Sequence, residues 1–219
     1  MVAADTSQAP VFVCLSAEGL TLARRLAGAF EGAECHGLAG RTENSDVAFS
    51  DTLPHLRALF ADGRPIVGVC AAGILIRALS PLLADKKAEP PVLALAEDGS
   101  AVVPLLGGHR GANDLARALG AALGIAPAIT TAGDARFALA LDAPPAGWRL
   151  ANPEHAKGAM AALLAGASAR LDGEADWLAS SSLPLAENGT VALVSSERRI
   201  EGGDQTLVYH PPLLALGVG

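Results

Sequence analysis

Short apolar runs alternate with amphipathic stretches along the N-terminal half of the chain, and this alternation constrains the fold more than any other feature. The clearest apolar run is 64–70, which is typical of a fully buried strand, and 10–16 is a second one. Between them, apolar side chains recur every four residues and predict a helix over 18–30. Strands and helices that alternate in this way predict an α/β protein with a mostly parallel sheet.

The remaining elements of this N-terminal lobe follow from the same periodicities. Asp98-Gly99 separates two apolar runs, and this dipeptide favours a tight β-hairpin because the turn requires positive φ angles. Residues 40–51 are polar and predict a loop, and Thr52 is expected to cap the next helix. The pattern predicts helices at 52–60, 74–79 and 112–123, and strands at 33–38, 91–96, 101–105 and 128–131.

A second, smaller lobe is expected after a change of composition near 131–149, where the turn-rich segment 142–147 can join two lobes. Its helix is predicted over 153–164, with Asn152 as the capping residue. Strands are predicted at 169–171, 190–194, 206–209 and 213–218. The expected architecture is therefore two small α/β lobes, with domains over 1–134 and 135–212 and the start of a truncated third domain over 213–219.

Composition and charge exclude several classes of function. The formal net charge of −7 disfavours nucleic-acid binding, which needs a basic surface, and the hydrophobic fraction of 51% disfavours disorder. Cys14, Cys35 and Cys70 form no CxxC pair and are expected to be reduced thiols of a cytoplasmic protein. The sequence has neither a secretory signal nor a membrane-spanning run, and its five histidines show no metal-ligand spacing. Neither a membrane nor a metal is therefore expected.

The strongest local motif is a glycine-rich turn between an apolar run and a helix. Gly107, Gly108 and Gly111 allow backbone N–H groups to approach a ligand closely, and a helix N-terminus attracts anions. The guanidinium of Arg110 suits carboxylate or phosphate, and His109 can act as a base or a donor. The motif lacks the Gly-Lys-Ser/Thr of a phosphate-binding loop and the first glycine of the dinucleotide fingerprint. A plain strand-to-helix turn with a solvated histidine is the alternative interpretation.

A second motif is the run of small residues from Cys70 to Gly73, with Arg77 one helical turn further on. Small side chains at the carboxyl end of a strand leave room for a ligand in α/β sheets. Cys70 is a possible nucleophile, but a buried thiol that only packs is the simpler interpretation. Arg77 is either a ligand-binding group or a surface residue.

Two further segments carry polar groups beside predicted strands. Asp85 and Lys86 lie in a charged loop, which takes a binding role only if it folds beside the glycine-rich turn. Thr130 and Thr131 offer hydroxyl groups to a carboxylate, or alternatively cap a helix.

Read together, these segments resemble the CbiG family of cobalamin-biosynthesis proteins, the cobalt-precorrin-5A hydrolases. The likeness is carried by GVCAAGILIR at 68–77 with PLLADK at 81–86, by the segment 91–99, and by LLGGHRGAN at 105–113 through TTAGD at 130–134. Trp148 and the Asn152-Pro153-Glu154 helix start resemble the family's central region. LGVG at 216–219 resembles the start of its C-terminal domain.

The resemblance implies a hydrolase that opens the δ-lactone of cobalt-precorrin-5A, releases acetaldehyde and gives cobalt-precorrin-5B. The cobalt arrives within this corrin-ring substrate, and no other cofactor is implied. His109 is the expected base and Arg110 an expected donor to the oxyanion or to a carboxylate, with Asp85 and Asp98 as second candidates for the base. The expected substrate-binding residues are Gly73, Arg77, Asp85, Lys86, Gly107, Gly108, Gly111, Asn113, Thr130 and Thr131.

Two other functions are compatible with the sequence. Related modules occur fused to the precorrin-3B C17-methyltransferase, so the chain can instead be a non-catalytic module that binds a corrin intermediate for such a partner. The third candidate is an unrelated anion- or nucleotide-binding domain. Three outcomes distinguish these functions. Release of acetaldehyde indicates the hydrolase, substrate binding without turnover indicates the non-catalytic module, and nucleotide binding without corrin affinity indicates the unrelated domain.

Overall fold

A computed structural model describes residues 8–86, 88–145 and 147–212, with the backbone but not the side chain of His109. The chain divides into two compact units, Met1–Ile129 and Thr130–Gly219. Among the described residues, each unit contains its own sheet, of six and four strands respectively, and both sheets are mostly parallel. The predicted α/β class is therefore confirmed, whereas the predicted assignment of domains to 1–134, 135–212 and 213–219 stays a prediction.

The strands of the first unit are β1 (Val11–Cys14), β2 (Glu34–Leu38), β3 (Val47–Phe49), β4 (Ile66–Val69), β5 (Val92–Leu95) and β6 (Val102–Leu106). They form a sheet in the order β3-β2-β1-β4-β5-β6. Strands β1 to β5 run parallel to one another, and β6 runs antiparallel to β5.

Helices cover both faces of this sheet, which explains why its central strands are continuous apolar runs. Alternate residues of a strand point to opposite faces. The helices are α1 (Ala17–Ala27), α2 (Thr52–Ala61), α3 (Ala72–Leu79) and α4 (Ala112–Leu123). Because of the alternation, Phe12 and Cys14 pack in one core with α1 and α4, whereas Val11 and Val13 pack in another with α2 and α3.

The predicted hairpin joins β5 to β6. The backbone N–H of Ala96 donates to the carbonyl of Ala101 across the turn at 2.9 Å, and Gly99 has a φ of +75°. This conformation is one that glycine adopts without steric cost. The hairpin makes β6 run opposite to the other five strands, which decides where the glycine-rich turn after β6 lies.

Three predictions for the first unit are wrong in detail. Residues 40–51 are not entirely loop, because Val47–Phe49 pairs with β2 as a short edge strand. The helix α2 is capped by Asp51, whose carboxylate accepts from Leu53 N, rather than by Thr52. Residues 128–131 form no strand; the N–H of Ala128 makes a single bond to Val102 O, and Thr131 precedes a helix.

The second unit contains a four-stranded sheet in the order β7-β10-β9-β8, in which only β7 is antiparallel to its neighbour. Its core includes Tyr209, which is fully buried and donates its hydroxyl proton to Leu141 O at 2.7 Å. The strands are β7 (Arg149–Leu150), β8 (Ala169–Asp172), β9 (Val191–Ser195) and β10 (Thr206–His210), and the helices are α5 (Ala132–Phe137), α6 (Pro153–Leu164) and α7 (Asp176–Ala179).

Asn152 lies at the N-cap position of α6, as predicted, but its side chain makes no capping hydrogen bond. Its amide instead donates to Thr206 O and accepts from Val208 N, at 2.8 and 3.0 Å, and so joins the start of α6 to β10. The strand predicted at 213–218 lies outside the described residues. Within the part of the chain that the structure describes, no helix combines the length and the apolar character needed to cross a membrane.

Candidate functional site

The carboxyl ends of β1, β4 and β5 lie side by side at one edge of the first sheet. The chain passes from β1 to β2 and β3 on one side of the sheet and then returns to β4 on the other side of β1. The strand order therefore reverses between β1 and β4. In open α/β sheets, ligands bind in the crevice at the carboxyl ends of strands where such a reversal occurs.

A cavity of about 310 Å³ lies at this reversal point. We call it the carboxyl-edge cavity. It is formed mainly by small or short apolar side chains, which leave space where larger residues would fill the crevice. The lining residues are Leu15, Val69, Cys70, Ala71, Ala72, Ala94, Ala96, Glu97, Ala101 and Val103.

Glu97 is the charged side chain of this lining; it lies two residues after the end of β5 and is exposed to solvent. The hydroxyl of Ser16, the N-cap residue of α1, donates to its Oε1. The same hydroxyl oxygen accepts from Gly19 N at 3.0 Å. A Cβ at Gly19 would lie 3.1 Å from Val69 Cγ1 and 3.3 Å from Glu97 Oε1. The absence of a side chain at Gly19 therefore gives the carboxylate its place beside α1.

Cys70 also lines the cavity, and its thiol is free and partly buried. The pKa of the Cys70 thiol is raised to about 11, mainly by burial and to a smaller extent by the nearby Glu97 carboxylate. Because the thiolate is the reactive form, a thiol with this pKa is a poor nucleophile near neutral pH.

Gly73 and Arg77 lie on α3, which begins directly after the cavity-lining Ala71. Nη1 of Arg77 donates to the carbonyl oxygen of Gly73 at 3.1 Å, so the guanidinium lies over the first turn of the helix. No side chain caps the first N–H groups of α3, and among them Ile74 N donates to Ala71 O at 2.9 Å. A positive side chain and a helix N-terminus without a side-chain cap together favour a bound anion.

The glycine-rich turn lies at the opposite edge of the sheet. Because β6 is antiparallel, its end at Leu106 pairs with Val92 at the start of β5. Gly107 is buried with a φ of +73°, and a Cβ there would lie 2.5 Å from Pro90 O. Gly108, by contrast, has open space where its Cβ would be. The glycine-rich turn therefore lies away from the carboxyl ends of the parallel strands.

The charged loop does fold beside the glycine-rich turn. Nη1 of the exposed Arg110 donates to Ala88 O at 2.8 Å, and Ala88 N donates to Asp85 O. This contact brings the loop of Asp85 and Lys86 next to Arg110 at the amino edge of the sheet. Asn113 is buried in the first turn of α4. The roles predicted for these residues and for His109, whose side chain is not described, stay predictions.

Thr130 and Thr131 belong to the second unit, where they are exposed. Thr131 is the N-cap residue of α5, and its hydroxyl donates to Asp134 in the first turn of that helix. Thr131 therefore lies at the N-cap position, but its side chain makes no capping hydrogen bond to the helix backbone. The predicted contact of the two threonines with substrate stays a prediction.

Ser16, Gly19 and Glu97 are site residues that the sequence did not single out. Their positions relative to the predicted strands are the signal that could have found them, since Ser16 ends the predicted strand 10–16, Gly19 lies three residues further on, and Glu97 comes directly after the predicted strand 91–96.

The first unit is thus a doubly wound α/β domain with a cavity at its reversal point, a class whose ligands ordinarily bind there. Residues 54–134 match the family model described as Cobalamin synthesis G N-terminal. The cobalt-precorrin-5A hydrolase of Salmonella typhimurium is 37% identical over 131 residues, which cover 59% of this chain and 37% of that protein. The cobalt-precorrin-5A hydrolase of Priestia megaterium is 26% identical over 237 residues, covering 94% of this chain and 63% of that protein.

A crystal structure described as a cobalamin biosynthesis protein G homolog from Sulfolobus solfataricus aligns with a TM-score of 0.47 and 22% identity, over 92% of this chain and 60% of that one. The chain is therefore homologous to the cobalt-precorrin-5A hydrolases of the CbiG family over most of its length, and the family's N-terminal model matches its residues 54–134. It spans 37% and 63% of the lengths of the two curated relatives.

Proposed function

We propose that this protein acts in cobalamin biosynthesis by opening the lactone of cobalt-precorrin-5A, with release of acetaldehyde. Two relatives named cobalt-precorrin-5A hydrolase support this activity. The observation that carries the proposal is the carboxyl-edge cavity. The guanidinium of Arg77 lies beside it, over the first turn of α3.

The substrate is a macrocycle fringed by carboxylates, and the carboxyl edge offers different environments to its different parts. The apolar lining of the cavity suits the uncharged lactone. Arg77 suits a neighbouring free carboxylate, through charge-assisted hydrogen bonds. The first N–H groups of α3 can stabilise the oxyanion that forms when the lactone carbonyl is attacked.

The reaction consumes one water molecule. Lactone hydrolysis gives a carboxylic acid and an alcohol. The alcohol then loses its O–H proton, its oxygen becomes the carbonyl of acetaldehyde, and the bond from that carbon to the macrocycle breaks. The electron pair of this bond stays on the macrocycle, which takes up a proton.

The glycine-rich turn needs a separate test because it lies at the other edge of the sheet. A macrocycle bound at the carboxyl edge would not touch Arg110 within the same unit. The predicted roles of His109 and Arg110 therefore require that the substrate bind at the amino edge instead.

Purified protein mixed with cobalt-precorrin-5A should release acetaldehyde, which a coupled alcohol dehydrogenase assay measures. Arg77→Ala should weaken substrate binding by about 10-fold, the equivalent of about 1.4 kcal/mol for one exposed charge-assisted contact. Arg25→Ala is the matched control, because Arg25 is an exposed arginine in the last turn of α1.

Three outcomes contradict parts of this proposal. A larger loss of affinity in Arg110→Ala than in Arg77→Ala would place the substrate at the glycine-rich turn. Tight substrate binding without acetaldehyde would favour the non-catalytic corrinoid-binding module. Binding of nucleotide without affinity for the corrin would contradict both the hydrolase and the corrinoid-binding module.

A further inference from the structure

We propose that Glu97 is the general base that activates water for lactone opening, an inference that rests on the proposed function. Glu97 lies in the lining of the carboxyl-edge cavity, two residues after the end of β5 and beside the reversal point of the sheet. A base must come within hydrogen-bond reach of the water that it deprotonates, and a carboxylate in the cavity lining meets that requirement.

The carboxylate is held in position by contacts from a different element. The Ser16 hydroxyl, fixed at the start of α1 by its bond to Gly19 N, donates to Glu97 Oε1. A carboxylate has two oxygens that accept hydrogen bonds. One oxygen therefore orients the side chain, and the second can accept a proton from water.

The other candidate groups fit this role less well. Cys70 shares the cavity, but burial raises the pKa of its thiol to about 11, so it holds its proton near neutral pH. Asp98 is outside the cavity lining, and its Oδ1 accepts from Ser100 N within the hairpin turn. His109 belongs to the glycine-rich turn at the opposite edge of the sheet.

The proposed step balances without any further reactant. Glu97 takes one proton from water while the water oxygen bonds to the lactone carbonyl carbon. The oxyanion re-forms the carbonyl and expels the ring oxygen, which takes the proton back from Glu97. The products are one carboxylic acid and one alcohol, and the base is regenerated.

Glu97→Gln keeps the shape of the side chain and removes the base. We expect turnover to fall by about 100-fold or more, the usual contribution of general base catalysis, while the dissociation constant for substrate does not rise. Glu18→Gln is the matched control. It neutralises an exposed carboxylate in the first turn of α1 and should keep wild-type turnover. His109→Gln is assayed in parallel.

Alkylation of Cys70, followed by peptide mass spectrometry, gives a readout that does not depend on turnover. Bound substrate should slow the alkylation of Cys70 if the reaction takes place in this cavity. Glu97→Gln should speed it in the free protein, because the carboxylate raises the pKa of the thiol and its removal increases the thiolate fraction.

The possible failures can be told apart. If wild-type protein releases no acetaldehyde, the proposed function fails and the role of Glu97 fails with it. If wild-type protein turns over and Glu97→Gln does so equally well, only the role of Glu97 is overturned. The same conclusion follows if His109→Gln abolishes turnover while Glu97→Gln and the protection of Cys70 show no effect.

Discussion

Replacement of Gly107 by alanine tests whether the glycine-rich turn depends on close packing against the backbone. Gly107 has a φ of +73°, and a Cβ would come 2.5 Å from Pro90 O and 2.6 Å from Pro91 N. A left-handed conformation costs a residue with a Cβ about 1–2 kcal/mol. Relief of the clash by movement of the backbone adds about 1–3 kcal/mol, the usual cost of overpacking. Gly107→Ala should therefore lower the free energy of unfolding by about 2–5 kcal/mol.

Gly63→Ala is the matched control, because Gly63 has the same φ of +73° but nothing within 4 Å of its would-be Cβ. It should cost only the conformational part, about 1–2 kcal/mol. Both replacements reduce the entropy of the unfolded chain equally, so the difference between them isolates the contact with Pro90. Amide hydrogen exchange of peptides spanning β5 and β6, together with urea unfolding followed by circular dichroism, measures both costs. Equal destabilisation by the two variants would refute the close approach.

Two further predictions concern stability. Nδ1 of His36 lies 2.9 Å from Nε2 of His55, and burial lowers the pKa of both rings from the usual 6.5. The unfolded chain therefore binds more protons than the folded one below about pH 6.5, so the urea midpoint should fall as the pH drops through that range. This dependence should flatten in His55→Gln, and an unchanged slope would exclude the pair as its source. Tyr209→Phe should cost about 1–3 kcal/mol, because the buried carbonyl of Leu141 loses its donor. Urea unfolding followed by tryptophan fluorescence checks this, since both tryptophans lie in the second unit, and an unchanged midpoint would contradict it.

Local sequence pattern was sufficient for the central strands of the first sheet. β1 and β4 are fully buried on both faces, so each is a continuous apolar run that a short window of sequence reveals. The edge strand Val47–Phe49 was missed because two of its three residues are exposed, and its strand character comes from pairing with β2. Pairing of this kind depends on residues that are distant in the sequence.

The candidate site was harder to predict because it depends on the order of the strands. Ser16, Cys70 and Glu97 are far apart in the sequence, and they meet because β1, β4 and β5 are adjacent and parallel. No local pattern encodes that adjacency. The glycine-rich turn was easy to recognise as a motif, but the hairpin before it places the turn at the opposite edge of the sheet.

If the proposed reaction takes place at the carboxyl edge, the charges there decide which part of the corrin substrate enters the cavity. A lactone is an esterified carboxyl group without charge, so Glu97 would not repel it, whereas Arg77 would attract the free carboxylates of the macrocycle. The proposed hydrolysis would create a new carboxylate beside Glu97, and two like charges about 4 Å apart repel by up to about 4 kcal/mol where the effective dielectric constant is near 20. We therefore expect the ring-opened product to bind on the order of 10-fold more weakly than the substrate, less than the full repulsion because water screens it. Glu97→Gln should remove most of that difference. Competition binding of substrate and product to both proteins measures it, and an equal ratio in the two would show that Glu97 does not face the reacting group.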